Sequence, residues 1–345
     1  MKIIFVGELI PNSRTDQRKR AFMDLGHQLI SFSSVPSSRR LDDRGNLITK
    51  ISWKIGFPLD INKVNVKIKK EVINSMPDII WIEKGNTIFP WTLKKIKQVS
   101  PEITIVSYSE DDMYASHNRS LYYRYGLKYY DFVFTTKSYN CDQSELPTLG
   151  ARRVIFVDKS YDTYQHKPID LSAEDLSKYG SEVGFIGAFE EERAASILYL
   201  ARKGVKVRVW GTEWHKMTIN HPNLILENHP VYGLEYVKAI CATRINLCFL
   251  RKMNRDLQTD RTMEIPACQG FMLAERTEEH LRLFTEGEEA AYFGSNEELL
   301  QKVRYYLIHE EERQKIAHAG RKRCVDSGYS HHERLKFMLS KVLGL

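Results

Sequence analysis

Three glycines stand where an anionic ligand would need them. Gly7, Gly187 and Gly211 each follow a run of apolar residues. In open α/β sheets, ligands gather beyond the carboxyl ends of strands. A residue without a side chain there lets a phosphate or a sugar approach the backbone, and the following helix offers free N–H groups. None of the three heads a full GxGxxG fingerprint: Gly7 runs into Glu8, Leu9 and Ile10, and Gly187 into Ala188, Phe189 and Glu190. A plain turn is therefore an equal reading at each. Asp111 and Asp112 follow the run ITIVS and lie near His117 in sequence. A carboxylate at such a strand end is of the type that takes a proton from a hydroxyl, and a capped turn leading into a helix is the alternative. Glu8 and Arg14 are further candidates in the first loop. No HExxH, GxxxxGK[ST] or clustered Cys/His set is present, and the adjacent Asp111 and Asp112 do not match a metal-binding DxD spacing. No metal is expected.

The elements that would carry these residues alternate along the chain. KIIFV at 2–6 reads as a buried strand, 15–25 as a helix ended by Gly26, and QLISF at 28–32 as the next strand. This β-α-β opening favours a parallel sheet. Further strands are expected at IIWIE, ITIVS, DFVFT and RVIFV, the last at 153–157. Residues 36–60 are irregular, and 61–75 read as a basic helix weakened by Val and Ile. Residues 158–181, rich in Asp, Ser, Tyr, Lys, Pro and Gly, are the linker candidate. A second series follows, with strands at 183–186, 205–210, 224–226, 245–250 and 271–274. Helices are expected at 190–202, 233–242 and from 260, and the chain reads as mainly helical from 296.

Length and composition are consistent with two such halves. The 345 residues are 42% hydrophobic and 28% charged, with a net charge of +7, which excludes a stapled miniprotein and a disordered chain. The five cysteines include no CxxC pair, so a disulfide framework or zinc ribbon is not expected. MKIIFVGELI lacks the layout of a signal peptide, and no apolar run reaches the roughly 18 residues of a membrane span. A reduced cytoplasmic setting is expected. The basic 63–70 stretch adds the expectation of peripheral contact with an anionic membrane at its inner face. It is too small a basic array to imply nucleic acid. The oligomeric state is left open.

The stretches FIGAFEEERAASILYLARKGVKVRVWG, INLCFLRKMNRDLQTDRTMEIPACQGFMLAE and GYSHHERLKFML resemble the CgeB-like members of the group 1 glycosyltransferases. SYSEDDM, YYDFVFTTKSYN and GARRVIFVDKSYDTYQHKP in the first half resemble the same family. The resemblance implies an α/β GT-B architecture, with two Rossmann-like domains facing each other across a cleft and a helical C-terminal tail. The expected domains are 1–165 on the acceptor side, 166–325 binding the nucleotide sugar, and 326–345 as a helix crossing back to the first domain. The implied activity moves a sugar from a UDP- or GDP-sugar to a glycan, a lipid-linked intermediate or another surface component, without a metal. The alternative is a non-catalytic spore or cell-surface maturation protein that keeps the fold. An epimerase is set aside for want of a dinucleotide fingerprint.

The resemblance also assigns roles to residues. It places Glu264 on the ribose, where a carboxylate accepts from two vicinal hydroxyls; the alternative is an acid favoured by a helix N-terminus. The family's upstream glutamate is replaced here by Asp256. Transfer leaves a diphosphate whose growing charge calls for cations, and Arg261, Arg255 and Lys252 are candidates, against the reading of a solvated basic loop. Arg193, after the acidic run Glu190, Glu191 and Glu192, is either a donor-phosphate ligand or a salt bridge to that run. Gly187 and Gly211 join the donor-binding set. Tyr232 would present backbone to the base, and Trp210 and Trp214 would flank it, with packing as the alternative for Trp210. Asp111 or Asp112 would be the acceptor-side base in an inverting reaction. His166 falls at the domain boundary.

Overall fold

The computed structural model describes residues 1–41, 43 and 45–344. The chain divides into two compact units, one formed by Met1–Asp158 and His331–Leu345, the other by Lys159–Ser330.

The first unit comprises β1 (Lys2–Gly7), α1 (Arg14–Asp24), β2 (Gln28–Ser33), α2 (Leu47–Lys54), α3 (Val64–Ser75), β3 (Ile79–Glu83), α4 (Pro90–Val99), β4 (Thr104–Ser109), α5 (Leu121–Gly126), β5 (Phe132–Thr135) and β6 (Val154–Phe156). Its sheet runs β2-β1-β3-β4-β5-β6, and every pairing is parallel. Both faces are covered, which is why the strands are continuous apolar runs rather than alternating ones. Successive side chains of β1 go to opposite cores: Ile4 and Val6 meet Ile68, Ile82 and Leu93, while Ile3 and Phe5 meet Phe22 and Trp81.

The second unit comprises α6 (Ala173–Tyr179), β7 (Ser181–Ile186), α7 (Glu191–Arg202), β8 (Val207–Trp210), β9 (Leu224–Leu226), α8 (Gly233–Ala242), β10 (Thr243–Cys248), α9 (Asp260–Ala267), β11 (Met272–Glu275), α10 (Glu278–Leu283), β12 (Ala291–Phe293), α11 (Asn296–Ile308) and α12 (Glu310–Asp326). Its parallel sheet runs β12-β11-β10-β7-β8-β9, which is the doubly wound Rossmann order. The last helix, α13 (His331–Leu343), belongs to the first unit. Leu335, Met338 and Leu339 enter the core beside Phe22 and Trp81. His331 Nε2 lies 3.1 Å from Gln17 Oε1, and Arg334 pairs with Asp158 at 3.4 Å.

The structure moves three sequence-based boundaries. The first unit ends at Asp158 rather than at 165, because the next residues are tied into the second unit. Lys159 N donates to Gln258 Oε1 at 3.0 Å, Lys159 Nζ pairs with Asp260 at 3.1 Å, and Tyr161 bridges to Ser330. Residues 326–330 stay with the second unit, where Tyr329 OH donates to Leu283 O at 3.0 Å. The linker candidate 158–181 contains α6, started by a reciprocal cap between Ser172 and Asp175. Within the irregular 36–60 stretch, α2 is capped by the Asn46 side chain on Thr49 N.

Candidate functional site

In each unit the strand order reverses at one point, and the crevice beyond the strand ends there is the expected ligand site. In the second unit the reversal lies between β7 and β10. Arg193, in the first turn of α7, and Arg261, in the first turn of α9, converge on it. Arg193 is 3% exposed. Its Nε donates to Leu250 O at 3.2 Å and its Nη1 to Ala188 O at 3.2 Å. Arg261 Nη2 donates to Phe249 O at 2.9 Å. The two guanidinium carbons lie 5.7 and 5.3 Å from the Phe185 ring centre. Two cations are thus held beside one aromatic ring.

Their pairing is incomplete. Arg193 Nη2 and Arg261 Nε are buried and have no hydrogen-bond partner among the described residues. Glu190 stands 3.8 Å from Arg193 Nε, beyond hydrogen-bond range. Burial first, and the neighbouring Arg261 second, lower the Arg193 pKa to about 10. A buried donor without an acceptor is costly, and an anion between these groups would relieve both the desolvation and the repulsion. Arg193 lines a cavity of about 380 Å³ together with Glu190, Leu250, Lys252, Glu275 and Arg276.

The remaining residues expected on the donor side have separate places. Gly187 follows β7, and a Cβ there would lie 2.6 Å from Phe185 Cζ and 3.3 Å from Arg261 Nη1. Gly211 has φ +156°, and its Cβ would meet Gly187 O at 1.9 Å, so the structure uses Gly211 for a close backbone approach. Trp214 is fully buried and donates from Nε1 to Gly187 O at 2.8 Å, and Trp210 is 1% exposed. Both tryptophans are part of the interior rather than flanks for a base, because β8 and the turn after it pack into the sheet. Tyr232 is the exposed N-cap of α8. Arg255 is exposed with φ +48° in the 251–259 loop. Lys252 pairs with Glu275 at 2.6 Å. Asp256 is buried, accepting from Arg251 N at 3.3 Å and Asn254 Nδ2 at 2.8 Å, and so shapes that loop.

Glu264 lies one turn into α9, 4% exposed, and accepts from Tyr236 OH at 2.5 Å. His166 Nε2 is 3.9 Å from its other oxygen. His166 Nδ1 accepts from Asp162 N at 3.0 Å, and its Nε2 lies 3.2 Å from Gln165 Nε2. Tyr236 carries no sequence signal for this contact. Below the start of α9, His280 is buried, its Nδ1 2.6 Å from Glu275 O and its Nε2 2.8 Å from Thr262 Oγ1. Burial lowers its pKa to about 4.

In the first unit the reversal lies between β1 and β3. A cavity of about 460 Å³ opens there, lined among others by Glu8, Lys84, Asn86, Asp111 and Asn118. Lys84 Nζ pairs with Asp111 at 2.8 Å. Asp111, and further Glu8, hold the Lys84 ammonium well above its usual range. Asp112 has a different place: it is fully buried and accepts from Tyr114 N, Ala115 N and Asn140 Nδ2. It caps the turn after β4. His117 is exposed and is not among the cavity's lining residues. Beneath the cavity, Arg18 is buried between Glu83 at 2.6 Å and Glu110 at 3.1 Å. That cluster joins residues 65 and 92 positions apart in sequence. Among the described residues no group of three or more His, Cys, Asp or Glu side chains is arranged to hold a metal ion.

Residues 193–340 match a family model described as glycosyl transferase-like, a span that includes Arg193, Arg261 and Glu264. No curated protein sequence matches the chain. A glycosyltransferase from Rickettsia africae is similar over 99% of this chain and 98% of its own, with 11% identity and a TM-score of 0.67. HepE of Anabaena in complex with UDP is similar over the whole of both chains, with 11% identity and a TM-score of 0.61. A UDP-GlcNAc 2-epimerase from Neisseria meningitidis bound to UDP-GlcNAc is also similar over the whole of both chains, with 13% identity and a TM-score of 0.54. The two Rossmann-like units and the closing helix have the GT-B fold, and the glycosyl transferase-like match lies almost wholly in the second unit.

Proposed function

We propose that this GT-B protein is a nucleotide-sugar-dependent glycosyltransferase of CgeB-like type, acting in the cytoplasm on a glycan, lipid-linked or other surface-component acceptor. The observation that carries the reading is the pair of guanidiniums at the β7/β10 reversal, with N–H groups left unpartnered in a buried setting. Such a pair suits a diphosphate. As the bond between sugar and diphosphate breaks, the leaving group gains charge, and fixed cationic donors stabilise it more than they stabilise the intact donor. In this reading Arg193 and Arg261 replace a metal ion. Gly187 leaves room beside Arg261, and Glu264, oriented by Tyr236, takes the ribose hydroxyls. Tyr232 and Arg255 complete the donor side at the base and the phosphates. UDP or GDP is the expected nucleotide, and the UDP held by the HepE structure favours UDP.

On the acceptor side, Asp111 is the candidate base at the wall of the first unit's cavity, positioned by Lys84. It would receive the proton of an acceptor hydroxyl in an inverting reaction. A retained fold without catalysis is the alternative. The missing dinucleotide fingerprint says nothing against an epimerase of this fold, and the Neisseria structure makes that a second reading. Incubation with UDP-glucose and UDP-GlcNAc, followed by NMR of the sugar products, separates the three. Release of UDP with a new glycoside or free sugar of defined anomer supports transfer, an epimerised sugar nucleotide supports the second reading, and no turnover supports the non-catalytic one.

A further inference from the structure

Helix α2 is amphipathic the wrong way round for a soluble surface helix. Leu47, Ile48, Ile51 and Ile55 fall on one side at helical spacing, and they are 72, 66, 51 and 61% exposed. The other sides carry Thr49, Lys50, Ser52 and Trp53, and these four residues line the cavity of the first unit. A surface helix ordinarily turns its apolar stripe inward, and a clustered apolar face left in water marks a binding surface. The helix is also fixed in this pose. Asn46 caps Thr49 N at 2.9 Å, and Gly56 O accepts from Leu121 N at 2.8 Å. Just beyond the helix, Phe57 meets Tyr122 at 5.2 Å between ring centres, and Tyr122 meets Trp91 at 5.8 Å. Phe57 and Trp91 are themselves exposed, so the apolar surface continues into an aromatic edge.

The charges on the helix have one sign, and the exposed acid before it, Asp43, accepts from Gly45 N at 2.8 Å. Between residues 45 and 59 the only charged side chains are Lys50 and Lys54, and both are exposed. The next acid, Asp60, is engaged by the backbone N–H groups of Val64 at 2.7 Å and Asn65 at 2.9 Å. Exposed Lys63, Lys67 and Lys70 follow. Aliphatic side chains flanked by lysines and edged by aromatic rings fit the headgroup boundary of an anionic bilayer. A second copy of this chain would set lysines against lysines, which like-charge repulsion disfavours. No described helix is long and apolar enough to cross a membrane.

We infer that α2 is an interfacial helix that seats the first unit on an anionic lipid membrane, with Leu47, Ile48, Ile51 and Ile55 in the headgroup boundary. The site differs from the basic 63–70 stretch, whose α3 helix buries Val64, Ile68 and Val72 in the core. Because the inner side of α2 walls the cavity that holds Lys84 and Asp111, the acceptor entering that cavity is one carried by the membrane, a lipid-linked saccharide or phosphate. This last step rests on the glycosyl-transfer reading, and the membrane contact itself does not.

The test uses the full chain in co-sedimentation with phosphatidylcholine vesicles, plain or with phosphatidylglycerol at about one part in three. The wild type is expected to pellet only with the anionic vesicles. Ile48→Glu/Ile51→Glu should lower the partition at least tenfold or so at any salt concentration. Lys50→Gln/Lys54→Gln should lower it about thirtyfold at low salt and little at high salt. Circular dichroism and the melting temperature, unchanged in both variants, show that folding is intact. UDP affinity in solution, measured in parallel, is expected to be equal in all three proteins. A loss of UDP binding by every form would strike the donor reading and leave the membrane arm standing. The inference is overturned if the wild type ignores anionic vesicles, if the variants pellet as well as the wild type, or if the isoleucine changes dissolve a dimer instead.

Discussion

Replacing Arg193 by methionine separates a ligand-holding cation from a structural one. Removing one partner of an ordinary buried ion pair costs about 3–5 kcal/mol. Here the structure gives a different sum. Burial and Arg261 lower the Arg193 pKa to about 10, well below the usual guanidinium range. That shift corresponds to an unfavourable term of about 3 kcal/mol for the charged form. Methionine removes this cost and keeps most of the stem's packing. It also removes the donors to Leu250 O and Ala188 O, at about 1–1.5 kcal/mol each. The two contributions nearly cancel, so the ligand-free variant should unfold within about 1 kcal/mol of the wild type. Its response to nucleotide should change far more. A lost charge-assisted contact of about 2.3 kcal/mol weakens binding about fiftyfold. At a UDP concentration one hundred times the wild-type Kd, ligand stabilisation would fall from about 2.7 to about 0.6 kcal/mol. Chemical denaturation with and without UDP or GDP measures both quantities. A ligand-free variant destabilised by about 3 kcal/mol or more would refute the reasoning, since the guanidinium would then be a structural support. An undiminished nucleotide response would refute it equally.

Three other outcomes follow from the geometry. Gly211→Ala places a methyl 1.9 Å from Gly187 O and should cost about 2–4 kcal/mol in denaturant unfolding; a neutral result would show that the backbone approach is dispensable. His280 is held neutral to about pH 4 against an ordinary 6.5. Across that window the unfolded chain carries a proton that the folded protein lacks. Stability should therefore fall as pH drops from about 6.5 to about 4, by about 3 kcal/mol in all, and then level off. His280→Gln should flatten this segment of the pH–stability curve, and an unchanged slope would assign it to other groups. Asp111→Asn should leave UDP affinity unchanged and lower kcat of sugar transfer about a hundredfold or more; equal turnover would remove Asp111 from the proton-transfer role.

The parallel strands were readable because they are buried on both faces and write themselves as KIIFV, IIWIE and ITIVS. β12 and α10 escaped because AYF and EEHLRL are too short to show a period. Helix α2 escaped for a more informative reason. Its apolar residues face outward, so its pattern points to no core, and only the fold brings Thr49, Lys50, Ser52 and Trp53 to a cavity. Arg193 and Arg261 were legible as cations after strands, whereas their shared use of the Phe185 ring required the β7/β10 pairing. Gly211 was legible as a glycine after a strand, for a ligand's approach or a plain turn, and neither reading anticipated the approach of Gly187 O. The Lys84–Asp111 and Glu264–Tyr236 contacts join residues 27 and 28 positions apart on different elements. Such pairings are fixed by topology, and no local spacing encodes them. The same holds for Asp112, whose burial depends on Asn140 arriving from beyond β5.

The most direct test of the central claim is calorimetric titration of the full chain with UDP and GDP, repeated on Arg193→Met and Arg261→Ala. The account predicts one site per chain for at least one of the two nucleotides, with affinity falling at least tenfold or so in each variant. Absence of binding by both nucleotides up to about 1 mM, or equal affinity in the wild type and both variants, would contradict it.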